Sequence, residues 1–269
     1  MKNAYTRREV MGFFRVIRRL TALCIALAVA FITMTVLYFT KPTVKQVTED
    51  KSNSQVQNTS STASKDKEAA NLAKDLENWN LVLVNKENPL PDGFNIETEN
   101  IASSYARDAG MSFDSRAVDA LNNMCKKAAE EDITLLAISS FRSHEKQVAL
   151  FNNEVADVKA ENPTMSDEEV KSLAGTVVAL PGTSEHECGL AVDLNSVEET
   201  FEHTKQFEWL SKNAADFGFI LRFPKDKEDI TGIIYEPWHY RYVGVEHAKK
   251  INSLGFCLEE YVDYLKNYK

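Results

Sequence analysis

The stretch Ser184-Glu185-His186-Glu187-Cys188-Gly189-Leu190-Ala191-Val192-Asp193 decides how the rest of the chain is read. It sets an imidazole and a carboxylate, His186 and Asp193, on either side of a glycine. A second stretch near the C-terminus, Glu236-Pro237-Trp238-His239, adds one more of each. Two imidazoles and a carboxylate are the donor set of a catalytic zinc whose fourth position is left for water. The expected ligands are His186, Asp193 and His239, with Glu236 beside them as the proton carrier.

Spacing demands a bend between the first two ligands, because both must come within about 2 Å of one ion. The step from His186 to Asp193 would rise roughly 10 Å along a helix and more than about 20 Å along a strand. A turn is therefore needed, and Gly189 is the residue able to take its backbone angles. Residues 190–194 then read as a short strand that delivers Asp193. Glu236 and His239 would lie on opposite faces of an ideal strand. Pro237 disfavours a regular strand there, so a bend is expected to turn both side chains inward.

These residues resemble the zinc peptidases of the VanY-type D-alanyl-D-alanine carboxypeptidase family, whose motifs read S-x-H-x-x-G-x-x-x-D and E-x-W-H. Both motifs are complete here and in order. The resemblance runs from about Trp79 to the C-terminus and includes Phe141-Arg142-Ser143 with Gln147, and Glu228-Asp229-Ile230-Thr231-Gly232. It implies one bound Zn2+ and removal of C-terminal D-alanine from peptidoglycan stem peptides, with either a D- or an L-configured residue before the scissile bond. In the family the arginine matching Arg142 supports the oxyanion, a charge that a nearby guanidinium stabilises. Ser184 and Gln147 match positions that could receive the substrate's terminal carboxylate.

Glu236, three residues from a ligand, is placed to take a proton from metal-bound water and pass it to the leaving amine. Glu185 and Glu187 also flank a ligand and read as outer partners of the site or as solvent-facing. His144, His203 and His247 read as surface or packing residues. Trp238 is expected to pack and to orient His239. Two rival functions stay open at this point. The facial triad of non-haem iron oxygenases has the same donor types, and a zinc-bearing wall-binding module would need neither Glu236 nor Arg142.

The chain has 269 residues, 43% of them hydrophobic, enough for one domain with a sizeable core. A net charge of −9 argues against nucleic-acid binding. The four cysteines are scattered, which excludes a cysteine-rich zinc module. Cys188 reads as packing, while Cys125 and Cys257 could pair outside the cell.

Residues 1–19 are basic, with Lys2, Arg7, Arg8, Arg15, Arg18 and Arg19, and residues 20–40 are uncharged. About twenty apolar residues span a bilayer as a helix, with the basic flank held in the cytoplasm. The run exceeds the apolar core of a cleaved signal peptide, about 7–15 residues, so a single-pass anchor with an extracytoplasmic domain is expected. Residues 41–78 are rich in Ser, Thr, Asn, Gln and Lys and read as a flexible stalk, with a loose helix possible over residues 65–78.

The domain, residues 79–269, is expected to be α+β: a small, largely antiparallel sheet with flanking helices. Residues 81–84 read as a strand. A helix capped by Asp114 or Ser115 should run to Glu130 and bury Val118, Leu121, Met124, Cys125 and Ala128. Residues 133–138 read as a buried strand, and a helix should follow over 145–160. Another should start at Ser166, whose Ser-x-x-Glu pattern with Glu169 is a capping box. Residues 203–217 read as helix, 219–222 and 240–243 as strands, and the tail from Val245 as helix broken at Gly255.

Overall fold

The computed structural model describes residues 67–268. The expected basic segment (1–19), membrane anchor (20–40) and most of the stalk (41–66) lie outside the described residues. Among the described residues no helix is long and apolar enough to cross a membrane.

Among the described residues, six short strands and seven α-helices follow the helical stretch 67–72. Strands β1 (Thr98–Asn100) and β2 (Ser112–Asp114) make an antiparallel pair that the sequence pattern did not disclose. Helix α1 (Val118–Ala129) buries the five side chains its periodicity predicts. Its N-cap is Ala117, and Asp114 instead accepts from the Arg116 side chain and backbone. Strand β3 (Ala137–Ser139) starts later than expected, and α2 (His144–Glu161) is capped by the Ser143 hydroxyl. Helix α3 (Asp167–Ala174) carries the complete Ser166/Glu169 capping box. Strand β4 (Ala191–Leu194), helix α4 (Lys205–Asn213), strand β5 (Phe219–Leu221) and the single-turn α5 (Glu228–Thr231) lead to β6 (His239–Tyr242). Helices α6 (Val245–Leu254) and α7 (Leu258–Lys266) close the chain, separated at Gly255 with φ +67°.

The main sheet has the order β3-β4-β6-β5, with every neighbour antiparallel. Its pleat separates two chemistries, because alternate residues face opposite sides. Val192, Leu194, Phe219 and Tyr240 join Phe113, Leu121, Met124 and Trp209 in the main core. Each such buried side chain contributes about 1.5–3 kcal/mol. Ala191, Asp193, His239 and Arg241 occupy the other face. The result is a polar row laid on a rigid apolar floor.

Two expectations need correction. Residues 81–84 form no strand: Trp79–Leu81 is a 3-10 turn, and the carbonyls of Asn80 and Val82 are taken by the Arg241 guanidinium. Packing also begins before Trp79. Residues 67–72 are helical, and Leu72 and Ala73 are buried against Ile251, Tyr261 and Leu265 of α6 and α7. The apolar pairs Ala69/Ala73 and Leu72/Leu76 are few, so composition marked the segment as stalk although one face packs.

Candidate metal centre

The loop before β4 is shaped by Gly189, whose φ is +68° and whose N–H donates to the His186 carbonyl. A Cβ there would collide with the Ile96 side chain and lie 3.3 Å from the Asp114 nitrogen. The turn brings His186 back toward Asp193, as the spacing required. On the other side of the ladder, Asp193 and His239 are direct partners between β4 and β6. Strand β6 begins only at His239, and the His239 N–H closes a turn onto the Glu236 carbonyl. That turn at Pro237 is the expected bend, and it sets the Glu236 carboxylate 3.5 Å from His239 Nδ1.

One possible donor atom from each of His186, Asp193 and His239 lies within 4.8 Å of the other two, and all three residues are buried. His186 Nδ1 donates to the Ser140 carbonyl at 2.8 Å, so its Nε2 is the nitrogen turned to Asp193, 3.4 Å from Oδ2. His239 approaches through the opposite nitrogen, Nδ1, 3.0 Å from Asp193 Oδ1. These donors suit a borderline divalent cation such as zinc.

Burial and neighbouring charges pull on these groups in opposite directions. Burial, with Arg142 nearby, pushes His186 down to about 4. Burial opposes protonation of His239 too, but the carboxylates of Asp193 and Glu185 beside it raise it to about 9. Asp193 stays well below the usual carboxyl range despite burial, because both histidines face it. A metal competes with protons for these same atoms. Burial pushes Glu236 up to about 8.

Arg142 follows β3, and its backbone N–H bonds the His186 carbonyl. Its guanidinium donates to Ser139 Oγ, Gln147 Oε1 and Asp193 Oδ2. Gln147 is fully buried, and its amide nitrogen donates to the Ala179 carbonyl. It thus holds Arg142 from behind. Ser184 is buried, and its hydroxyl accepts from the His186 N–H at 3.4 Å, the turn-residue arrangement.

Other sequence readings sort plainly. Trp238 packs in the core. Glu187 is buried and accepts from the Gly182 N–H, with His144 Nδ1 at 2.8 Å from its second oxygen. His203 is exposed, and His247 is buried against Tyr261. Cys125, Cys188 and Cys257 are all free and buried. The suggested Cys125–Cys257 pairing is therefore absent: Cys125 lies in the main core, and Cys257 lies beside Glu259, Glu260 and Arg222.

Glu185 is more deeply engaged than sequence reasoning foresaw. It is buried, and one oxygen accepts from Arg222 and Arg241, both fully buried themselves. A signal existed: Arg222 and Arg241 interrupt the apolar strand patterns Phe-Ile-Leu-Arg and Tyr-Arg-Tyr, and a charge there needs a buried partner.

Three comparisons bear on this geometry. The family model described as VanY, D-alanyl-D-alanine carboxypeptidase, matches residues 110–245. A D-alanyl-D-alanine carboxypeptidase of Enterococcus faecalis is 40% identical over 189 residues, covering 70% of this chain and 68% of that protein. A crystallised variant of the vancomycin-resistance D,D-pentapeptidase VanY from a VanB-type cassette, in complex with Zn(II), superposes with a TM-score of 0.60 at 40% identity, covering 68% of this chain and 99% of that one. The LD-carboxypeptidase LdcB superposes with a TM-score of 0.61 at 36% identity, over 69% of this chain and 87% of that one.

Proposed function

The chain belongs to the VanY family of D-alanyl-D-alanine carboxypeptidases, and we propose on that premise how its own residues carry the reaction. The protein is a zinc metallopeptidase that removes the C-terminal D-alanine of peptidoglycan stem peptides. The observation that carries this reading is the buried His186–Asp193–His239 group with Glu236 at its edge.

His186 would hold zinc through Nε2, His239 through Nδ1, and Asp193 through its carboxylate. Zinc, when bound, supplies a water of lowered pKa and a positive charge beside the substrate carbonyl. Glu236 takes a proton at its carboxylate and returns it to the departing amine of D-alanine. Arg142 turns its guanidinium to the carbonyl oxygen as that atom becomes negative, with Gln147 holding it from behind. Ser184 is the proposed donor to the substrate's terminal carboxylate, whereas Gln147, fully buried behind Arg142, serves the site by holding that guanidinium.

We also propose a single-pass anchor over residues 20–40, with the catalytic domain extracytoplasmic and close to its substrate. The support is the basic cluster ending at Arg19 followed by an uncharged run.

The similarity extends to a D,D-pentapeptidase and to an LD-carboxypeptidase with nearly equal TM-scores. Mass spectrometry of stem pentapeptide and tetrapeptide digests separates these. Loss of one alanine from the pentapeptide alone assigns D,D-specificity, and loss from the tetrapeptide assigns L,D-specificity. Cleavage of neither peptide by zinc-loaded protein would overturn the carboxypeptidase reading.

A further inference from the structure

Three buried side-chain polar atoms among the described residues lack a hydrogen-bond partner: Glu185 Oε2, His239 Nε2 and Tyr240 Oη. The first two face each other, 3.7 Å apart. An orphaned donor or acceptor in a protein interior has lost its water without gaining a partner, which is costly. Here a movement of less than about 1 Å would satisfy both at once.

One oxygen of Glu185 is committed to two arginines, and the other is free for that contact. Its Oε1 is saturated, accepting from Arg222 Nε at 2.7 Å and Arg241 Nη1 at 2.8 Å. Arg222 is clamped in turn by both oxygens of Glu259 on α7, at 2.8 and 2.6 Å. Arg241 is fixed by the carbonyls of Asn80, Val82 and Tyr242. Two carboxylates thus meet two guanidiniums, and the cluster is neutral. Only Oε2 is left over, and it points at the imidazole of a ligand.

From this we propose that Glu185 is a positioning residue for His239: its Oε2 accepts the Nε2 proton and so leaves the Nδ1 lone pair free for the metal. The proposal rests on the reading that His186, Asp193 and His239 hold zinc. A neutral imidazole carries one proton, and the nitrogen that bears it cannot ligate. The two ligand histidines use opposite nitrogens, so each needs its own device. For His186 it is the Ser140 carbonyl on Nδ1; for His239 it is Glu185 on Nε2. A salt bridge with only a structural purpose would have no need to aim its spare oxygen at the ring.

Glu185→Gln is the informative variant. The arginines select the amide oxygen, which turns the NH2 group toward His239 Nε2. That donor would favour the proton on Nδ1, the wrong tautomer. Glu259→Gln disturbs the same ionic cluster without touching His239 and is the control. The experiment measures zinc affinity of the full-length proteins by competition with a chromophoric chelator, alongside long-range 1H–15N spectra of the zinc-loaded wild type. The expected result is an affinity about 10- to 100-fold weaker in Glu185→Gln, and within about threefold of wild type in Glu259→Gln. In the wild type the spectra should place the proton on Nε2 of His239 and on Nδ1 of His186. Unchanged affinity in a folded Glu185→Gln, or a wild-type His239 protonated on Nδ1, would overturn the proposal while leaving the zinc site standing. Failure of the wild type to bind zinc through these histidines would overturn both. The wild-type spectra decide the matter even if Glu185→Gln fails to fold.

Discussion

Asp193 and His239 are direct partners across the β4–β6 ladder, and their side chains meet with Oδ1 3.0 Å from Nδ1. Antiparallel pairing alone puts these two proposed ligands on one face of the sheet. A slip of one residue would exchange Asp193 for Val192 or Leu194 and turn the carboxylate toward the apolar core. The core side chains on the opposite face therefore also hold the register of the metal site.

Arg142 is expected to act on the reaction more than on binding. Lysine keeps the charge but loses the fork that now spans Ser139, Gln147 and Asp193. Arg142→Lys should lower kcat about 10²- to 10³-fold while zinc content, read by atomic absorption, stays at one per chain. An unchanged kcat would remove Arg142 from the oxyanion role.

Gly189 tests the loop that brings His186 to Asp193. Any side chain there must hold φ +68° and displace Ile96. Gly189→Ala should cost about 1–2 kcal/mol from the backbone conformation alone, seen as a lower thermal midpoint, and zinc affinity should weaken with it. Wild-type midpoint and affinity together would show that the turn does not depend on glycine.

The buried ionic cluster makes a prediction about acid. Burial would raise Glu259, but Arg222 prevails and holds it below the usual 4.5; Glu185 is likewise lowered, with Arg222 and Arg241 prevailing over burial. As pH falls below that value the unfolded chain binds protons that the folded protein refuses. Stability from these groups is therefore complete above about pH 5 and is lost as pH falls through the folded values. In metal-free protein the thermal midpoint should drop below about pH 5. Glu259→Gln should cost about 3 kcal/mol at neutral pH and make the acid drop shallower. An equally steep drop in the variant would assign acid sensitivity elsewhere.

Much of this architecture can be read in the sequence because local signals and tertiary demands agree. The α1 stripe, the Ser166/Glu169 capping box and the Gly255 break are each explained by a few neighbouring residues. The grouping of His186, Asp193 and His239 was legible for a different reason: a shared ion would force a bend at a countable distance. What stayed hidden depends on distant partners. Glu185 and Arg241 are 56 positions apart, and nothing near either one announces the other. Residues 67–72 read as stalk because their few apolar side chains acquire meaning only against α6 and α7. Residues 81–84 looked like a strand by composition, yet two carbonyls in and beside that stretch serve Arg241 instead of a ladder.

The most direct test of the central claim is turnover of stem peptide by zinc-loaded Glu236→Ala beside wild type, each with a chelated control. The wild type should lose activity on chelation and regain it with zinc. Glu236→Ala should bind one zinc, fold normally, and lose at least about 10²-fold in kcat, the contribution of a positioned acid–base group. Near-wild-type turnover by the zinc-loaded variant, or full wild-type activity after zinc is stripped, would contradict the account.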